Sequence, residues 1–493
     1  MTRTAVVSSP SARPAHPRRL ALVGVVGLTA AALVVGPALV AQAGGPGRWT
    51  TLSTGSMTSI DRADLARTPD GRLQVAYSYR TAAGEDQIGH LAVSATGATA
   101  VGSHPVGPAL GSLVNDPQVV QGPGSELRLV YSGIGTGFAG ELFSSVSLDG
   151  GAAFGAPGRI GTEKTAYASS GTSAVVAGGT LWSSWATTDT LYLHQGISDA
   201  VPDVSFDNPS TPGGSVCCAY FTTLARDAAN ESVWLAWYSN SSQQGTFVRQ
   251  VSPALGAIAK VPGSTVQFGG ATNSLAPDQA VALTGRSGAG GTYTAICKGY
   301  PTCGSVSVWK VGSSSTLAVP GSKDAKRIGV AAAPGGRLWV FWWASGTRTV
   351  KAVRTNAAVT KFGAVRSVRL PAVGTVWNTV GDAANGRLDL VVSFDPEASG
   401  GPRLLHTQVL PGLKVAASPR KWDNAGAKSV TFTVSDAGLP VKGAKVKVGS
   451  RSDTTDAKGK VTLTFPAGFD TGRKKAVATR TGYFRGVVTL RIT

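Results

Sequence analysis

One arginine and three aspartates hold the positions in this chain from which chemistry could be done: Arg62, Asp64, Asp116 and Asp278. Asp116 and Asp278 open or precede alternating apolar runs, where a side chain on an inner strand reaches a central funnel. Hydrolysis of a glycosidic bond needs two carboxylates roughly 5 to 10 Å apart across the substrate. Asp64, Asp116 and Asp278 are therefore the residues to test as acid, base or nucleophile. The plainer reading of an Asp at a strand start is an Asx turn that caps its own backbone. No Ser-His-Asp order or phosphate-binding loop stands out. His90, His104, His194 and His406 have no partners at metal-ligand spacing, so neither metal nor cofactor is expected. Tyr79 and Trp343 lie at strand ends beside a following loop. Together with Arg62, Asp116 and Asp278 they form the candidate binding set.

These residues are carried by a repeat. A turn rich in Gly, Ser or Asn and then an alternating apolar strand recur about every fifty residues. The copies run Leu73–Tyr77, Leu127–Tyr131, Leu181–Trp185, Val233–Trp237 and Leu338–Trp342, with weaker ones at Val281–Gly285 and Leu388–Val392. A period of that length filled by strands and turns predicts an all-β fold, a seven-bladed β-propeller, with six blades if the fifth copy is an insertion. In the second repeat the strands are expected at Pro117–Val120, Leu127–Tyr131, Leu142–Val146 and Arg159–Ile160. Second strands are buried on both faces, so Trp182, Trp185, Trp234, Trp237, Trp339 and Trp342 are expected to be core. The last repeat lacks an outer strand, and Arg48–Leu52 is predicted to supply it, joining the two ends of the ring.

Ser147-Leu-Asp149-Gly-Gly151-Ala-Ala-Phe154 resembles the Asp-box of sialidase-like propellers. The resemblance implies a structural hairpin in which Asp149 ties down the turn and Phe154 packs between sheets. Thr355 to Gly363 aligns with the same segment in the sixth repeat. A sialidase would also need an arginine triad, a Tyr nucleophile with a Glu partner, and an Asp acid. The stretch Thr58-Ser-Ile-Asp-Arg-Ala-Asp-Leu65 lacks the Arg-Ile-Pro-like motif that carries the family's first arginine.

After about residue 412 the pattern changes. Val430–Val434, Ala444–Val448, Val461–Phe465 and Val488–Ile492 alternate with period two, each predicting a strand with one buried face. Asp456–Gly459 reads as a hairpin turn. The runs Gly438 to Val446 and Thr455 to Leu463 resemble carboxypeptidase-regulatory-like and bacterial immunoglobulin-like modules. That implies a transthyretin-like β-sandwich over 413–493, with a propeller over 44–412.

The formal charge is +19. From Leu413 onward sixteen Lys and Arg face five Asp, so the basicity is concentrated at this end. Lys445, Lys447, Lys458, Lys460, Lys474 and Lys475 are expected to form an outward basic face. Such a domain suits anionic polymers, and no basic-aromatic motif points to nucleic acid. At the other end, Arg3, Arg13, Arg18 and Arg19 precede an apolar run from Leu20 to Val40 and then Ala41-Gln42-Ala43. This predicts an export signal over 1–43, and the run is also long enough to remain as an anchor. Cys217, Cys218, Cys297 and Cys303 fit an oxidising compartment and allow three disulfide pairings.

The sequence thus predicts an exported, monomeric, extracellular or cell-surface protein. Its expected role is non-catalytic recognition or attachment, with a glycan, cell-wall polymer or surface protein as partner. The alternative is an extracellular glycoside hydrolase or lyase of sialidase-like fold.

Overall fold

The computed structural model describes residues 45–493 except 54–56, 97–99, 106–111, 135–139, 166–170, 188, 198–199, 217, 265–280, 287, 289, 300–301 and 398–399. The expected export segment, Asp278 and Cys217 lie outside the described residues. Among those described, no helix is long and apolar enough to cross a membrane, and the architecture is almost wholly β.

Six antiparallel meanders of four consecutive strands follow one another. They run from Met57–Arg67 to Ala100–Pro105, Ser112–Gln121 to Gly158–Thr165, Ser173–Ala177 to Val204–Asp207, Ala219–Arg226 to Ala259–Lys260, Ala282–Gly285 to Thr316–Ala318, and Ala325–Ala333 to Arg366–Arg369. A seventh sheet has Gly374–Ala384, Arg387–Pro396 and Arg403–Val409, and takes Thr50–Thr51 as its fourth strand. Thr50 pairs with His406 and Thr51 with Leu405. Hydrogen bonds from Gly47 N–H to Gln408 O (2.8 Å) and Leu52 N–H to Leu404 O (2.7 Å) extend the pairing. The strand exchange between the two ends is thus the one expected.

Alternation along the strands sends apolar side chains into the gaps between sheets. Each gap holds its own core. Trp237 and Phe247 pack with Leu191 and Leu193 of the sheet before, and Trp339 and Phe341 with Leu390 and Phe394 of the sheet after. The seventh sheet closes on the first in the same way, with Leu52, Val391 and Leu404 against Ile60, Val75 and Leu91. Trp185, Trp237, Trp339 and Trp342 are buried as expected, while Trp182 and Trp234 are half-buried. The same seam carries a charged clasp. Arg67 Nε lies 2.6 Å from Asp382 Oδ2 and its Nη2 lies 2.7 Å from Asp389 Oδ2. His406 Nε2 sits 3.1 Å from Asp389 Oδ1. Although burial opposes it, His406, Arg387 and Arg67 hold the Asp389 carboxyl below the usual carboxylate range.

The Asp-box behaves as the resemblance implies. Asp149 Oδ1 accepts the N–H groups of Ala152 (2.9 Å) and Ala153 (3.0 Å), and Ser147 Oγ accepts that of Gly151 (2.8 Å). Gly151 has φ 93°, and a Cβ there would come 2.5 Å from His90 Cε1, so only glycine fits. Phe154 packs edge-on to His90 of the first sheet. In the sixth sheet Asn356 does the work of Asp149, accepting from Thr360 N–H (2.8 Å) and Lys361 N–H (3.2 Å).

The fifth copy corrects the sequence reading. Val281–Gly285 was expected as a second strand, but Ala282–Gly285 is the first, and the second is Thr292–Lys298. Two short apolar runs flank one Gly-rich turn there, and in the true second strand Cys297 stands where the other copies carry their aromatic. Of the three possible pairings, the disulfide is the one that joins Cys297 to Cys303. Cys218 is also disulfide-bonded.

Beyond Pro411 two further sheets enclose a core of Trp422, Phe432, Val446, Phe465, Ala476 and Leu490. The four expected strands are present. Asp456–Gly459, however, links Arg451–Thr454 of one sheet to Lys460–Phe465 of the other. It is a corner between sheets, not a hairpin: the Asp456 side chain accepts Lys458 and Lys460 N–H at 2.8 Å, chemistry that both kinds of turn share. This unit is clamped to the sixth sheet by Asp436, which is buried between Arg337 (3.2 Å) and Arg354.

Removing residues 45–53 deletes the seventh sheet's fourth strand and Leu52 from the core beneath it. The melting temperature should fall by about 5 °C or more, as read by calorimetry, whereas superimposable melting curves would contradict the closure.

Candidate functional site at the mouth of the ring

The first strands of the seven sheets line the central space. Each touches the first strand of the next sheet, and Gly374–Ala384 touches Met57–Arg67. Within its own sheet, each pairs along one edge only, so the backbone groups on the inner edge need other partners. Neighbouring sheets supply them. Val119 N–H donates to Asp64 Oδ2 and Gly171 N–H to Asp116 Oδ2, both at 2.9 Å. Leu224 N–H donates to Ser173 Oγ (2.9 Å), and Thr223 Oγ1 to Val281 O (3.0 Å). The Thr222 and Thr379 hydroxyls donate to Gly171 O and Arg327 O.

Toward one end of these strands the register slips at a common level. Among the described residues the slips at this level fall between Ile60 and Ala63, Asn115 and Gln118, Tyr220 and Thr223, Lys326 and Gly329, and Val376 and Asn378, with two more nearer the strand starts, Met57/Ser59 and Ser112/Asn115. A bulge leaves a residue unpaired and re-aims its side chain. Asp116, Phe221 and Arg327 adopt φ of 49°, 55° and 52°, a region that costs energy for any residue with a Cβ. Gly171 occupies the same level in the third sheet, where a Cβ would lie 2.6 Å from Phe221 Cα.

The bulges gather a mixed set of groups. Arg62 Nε pairs with Asp116 Oδ1 at 2.8 Å; the arginine is about a third exposed and the aspartate buried. The Arg62 guanidinium lies 5.3 Å from the Phe221 ring, reaching from the first sheet to the fourth. Arg327 lies 5.9 Å from the ring of Trp377 and donates from Nε to Val376 O (3.2 Å). Trp377 is 44% exposed. Next to it, Asn378 Oδ1 is buried with no hydrogen-bond partner among the described residues.

The expected site residues fare differently. Asp116 has both oxygens engaged, Oδ1 by Arg62 and Oδ2 by the N–H of Gly171. Asp64 is half-buried on its inner strand, and desolvation by the surrounding ring pushes its carboxyl up to about 7 against the opposing N–H groups of Val119 and Leu65. Tyr79 is half-buried, its hydroxyl donating to Gln87 Oε1 at 2.6 Å. Trp343, placed in the binding set by its position at a strand end, is 8% exposed, its indole N–H donating to Thr347 O (3.1 Å). The loop after it folds back over the strand end, with Arg348 bound to Leu370 O. His90, His194 and His406 are buried against Gln74, Asp203 and Asp389, and the described residues hold no metal-ligand cluster. Phe221, Arg327 and Trp377 were missed. The repeat period contains them, since they recur at the level of Asp116, but the bulge that turns them outward leaves no mark in an alternation pattern.

No family model and no curated protein matches this chain. Among solved structures it is similar to a protein of unknown function from Dyadobacter fermentans, at 10% identity and a TM-score of 0.45, covering 74% of this chain and 98% of that one. A microbial sialidase, Hz136, shows 10% identity and a TM-score of 0.43, with 71% of this chain and 65% of that one covered. The β-propeller domain of the Trilobed protease from Pyrococcus furiosus shows 7% identity and a TM-score of 0.41, covering 71% and 96%. Likenesses this distant carry no argument about site or ligand, so the fold rests on its own strand pairings.

The raised Asp64 carboxyl gives a pH-dependent expectation. Between its ordinary value of 3.8 and about 7 the folded chain keeps a proton that the unfolded chain has lost, so this group's contribution to stability declines as pH rises through that window. Asp64→Asn removes the ionisation and keeps an acceptor for Val119. It should raise the melting temperature by a few degrees at pH 8 and hardly at all at pH 4; an equal shift at both would contradict a carboxyl held neutral by desolvation.

Proposed function

We propose that this is an exported, non-catalytic recognition protein. Its seven sheets act as the blades of a seven-bladed propeller that holds a glycan at the mouth of the ring. An immunoglobulin- or transthyretin-like sandwich behind it attaches the protein to an anionic polymer of the cell surface. What supports the first half is the gathering of Trp377, Phe221, Arg327 and the Arg62–Asp116 pair at one level. An exposed indole offers an apolar face to the C–H side of a sugar ring. Guanidinium and carboxylate groups beside it suit sugar hydroxyls, and orientation by a few placed polar groups is how such sites gain specificity. A glycan array should give hits with the wild-type chain, and Trp377→Ala should weaken binding at least tenfold without changing the melting curve. An array without hits, or unchanged affinity in the variant, would overturn this reading.

The alternative, a glycoside hydrolase or lyase, is favoured by one observation, the Asp64 carboxyl poised near neutrality as an acid–base group would be. Turnover of any glycan by the wild-type chain that disappears in Asp64→Asn would establish it in place of the first reading.

A further inference from the structure

The cations of the C-terminal unit are sorted between its two sheets. Lys445, Lys447 and Lys475 project from the solvent side of the five-stranded sheet, and Lys421, Arg473 and Arg491 share that side. Their strand neighbours Val446, Ala476, Leu490 and Ile492 point into the core. The remaining Lys residues of the expected basic face lie elsewhere: Lys460 on the other sheet, Lys458 in the corner turn, and Lys474 beside Asp470 (3.1 Å).

Register sharpens the arrangement. Lys421 pairs with Arg491, and Arg491 with Arg473, so three cations stand side by side across adjacent strands. Like charges facing one another across a sheet are destabilising. None of the paired outward positions is Asp or Glu, and they include Thr479, Thr489, Val477 and Val487; exposed Asp423 lies just past Lys421–Trp422 at the sheet edge. None of the six cations forms an ion pair among the described residues. The opposite sheet is faced with hydroxyls, Thr431 against Thr462 and Ser429 against Thr464, both at 3.0 Å. Its Lys414, Thr433 and Ser435 line a cleft shared with Leu317, Pro320 and Phe362 of the ring. This hydroxyl-rich face, whose paired outward positions carry only Lys414 and Lys460 as cations, is turned to the ring, and the row of six cations lies on the opposite side of the sandwich.

We propose that this outward face binds a linear polyol phosphodiester. The inference rests on the attachment half of the proposed function and deepens it by naming the face and the ligand chemistry. Cations about 4.8 Å apart across strands and about 7 Å apart along them match a backbone that carries a charge every few ångströms. An acidic glycan, whose charges are separated by sugar rings, would leave part of the row unmatched. Arginine forks grip phosphate oxygens in pairs. The face offers no aromatic ring on which nucleic-acid bases could stack, which selects a polymer without bases.

The test is binding of the full chain to poly(glycerol phosphate), to polygalacturonate and to single-stranded DNA, at about 50 and 200 mM salt. The phosphodiester polymer should bind tightest and weaken steeply with salt. The Arg473→Glu/Arg491→Glu variant should lose at least tenfold in affinity. Lys414→Glu/Lys460→Glu, on the other sheet, should bind like wild type. Lys421→Glu, at the edge of the row, provides a second reading should the double variant melt early, and should lose affinity in the same direction. Undiminished binding by the row variants, or tighter binding of DNA or polygalacturonate, would overturn this inference and leave attachment standing. If none of the three polymers binds, both fall.

Discussion

A strand at the centre of a ring of sheets has one edge it cannot pair. Its N–H and C=O groups face a neighbour that runs alongside without forming a ladder, and unpaired buried backbone groups are costly. This constraint accounts for much of what the inner strands contain. Asp64, Asp116 and Ser173 accept backbone N–H groups of the following sheet, while Thr222, Thr223 and Thr379 donate to backbone carbonyls of a neighbour. The carboxylates that look catalytic in the sequence are thereby drawn into holding the sheets together. Asp116 is fully committed, whereas Asp64 keeps an elevated carboxyl because its desolvation outweighs its two N–H partners.

The bulges follow from the same geometry. Where a first strand slips register it turns side chains out of the inter-sheet cores and into the mouth of the ring. Strained positive-φ conformations at Asp116, Phe221 and Arg327 persist because the surrounding sheets over-determine them. The fold and the candidate site are thus two consequences of one edge: hydrogen bonds from neighbours secure it, and its irregularities present the groups that meet a ligand. Closure at the seam between the last sheet and the first keeps those groups in one circle. Sharing of Thr50–Thr51 and the Arg67 clasp secure it there.

Much of the architecture is legible in the residues. Alternation and the fifty-residue period place nearly every second strand, the missing outer strand leads to Arg48–Leu52, and Ser147 to Phe154 marks its own turn. The fifth copy misleads because Ala282–Gly285 is as apolar as the true second strand and its aromatic closing residue is replaced by Cys297. The site is far less visible. Trp343 enters the binding set from its place at a strand end, yet it is buried and its indole is tied to Thr347 of the following loop, a tertiary fact with no local signature. Trp377 reads as one residue of an ordinary inner strand, and only the slip between Val376 and Asn378 exposes it. Periodicity encodes which residues pair. It does not encode where pairing is interrupted, and the interruptions carry the candidate chemistry.

The claim on which this account depends is that side chains from neighbouring sheets satisfy the bare inner edges. Amide hydrogen exchange at Val119, Gly171 and Leu224 tests it most directly. The account predicts protection at these three N–H groups comparable to that of paired second-strand amides. Exchange at the rate of open, solvated backbone would contradict it.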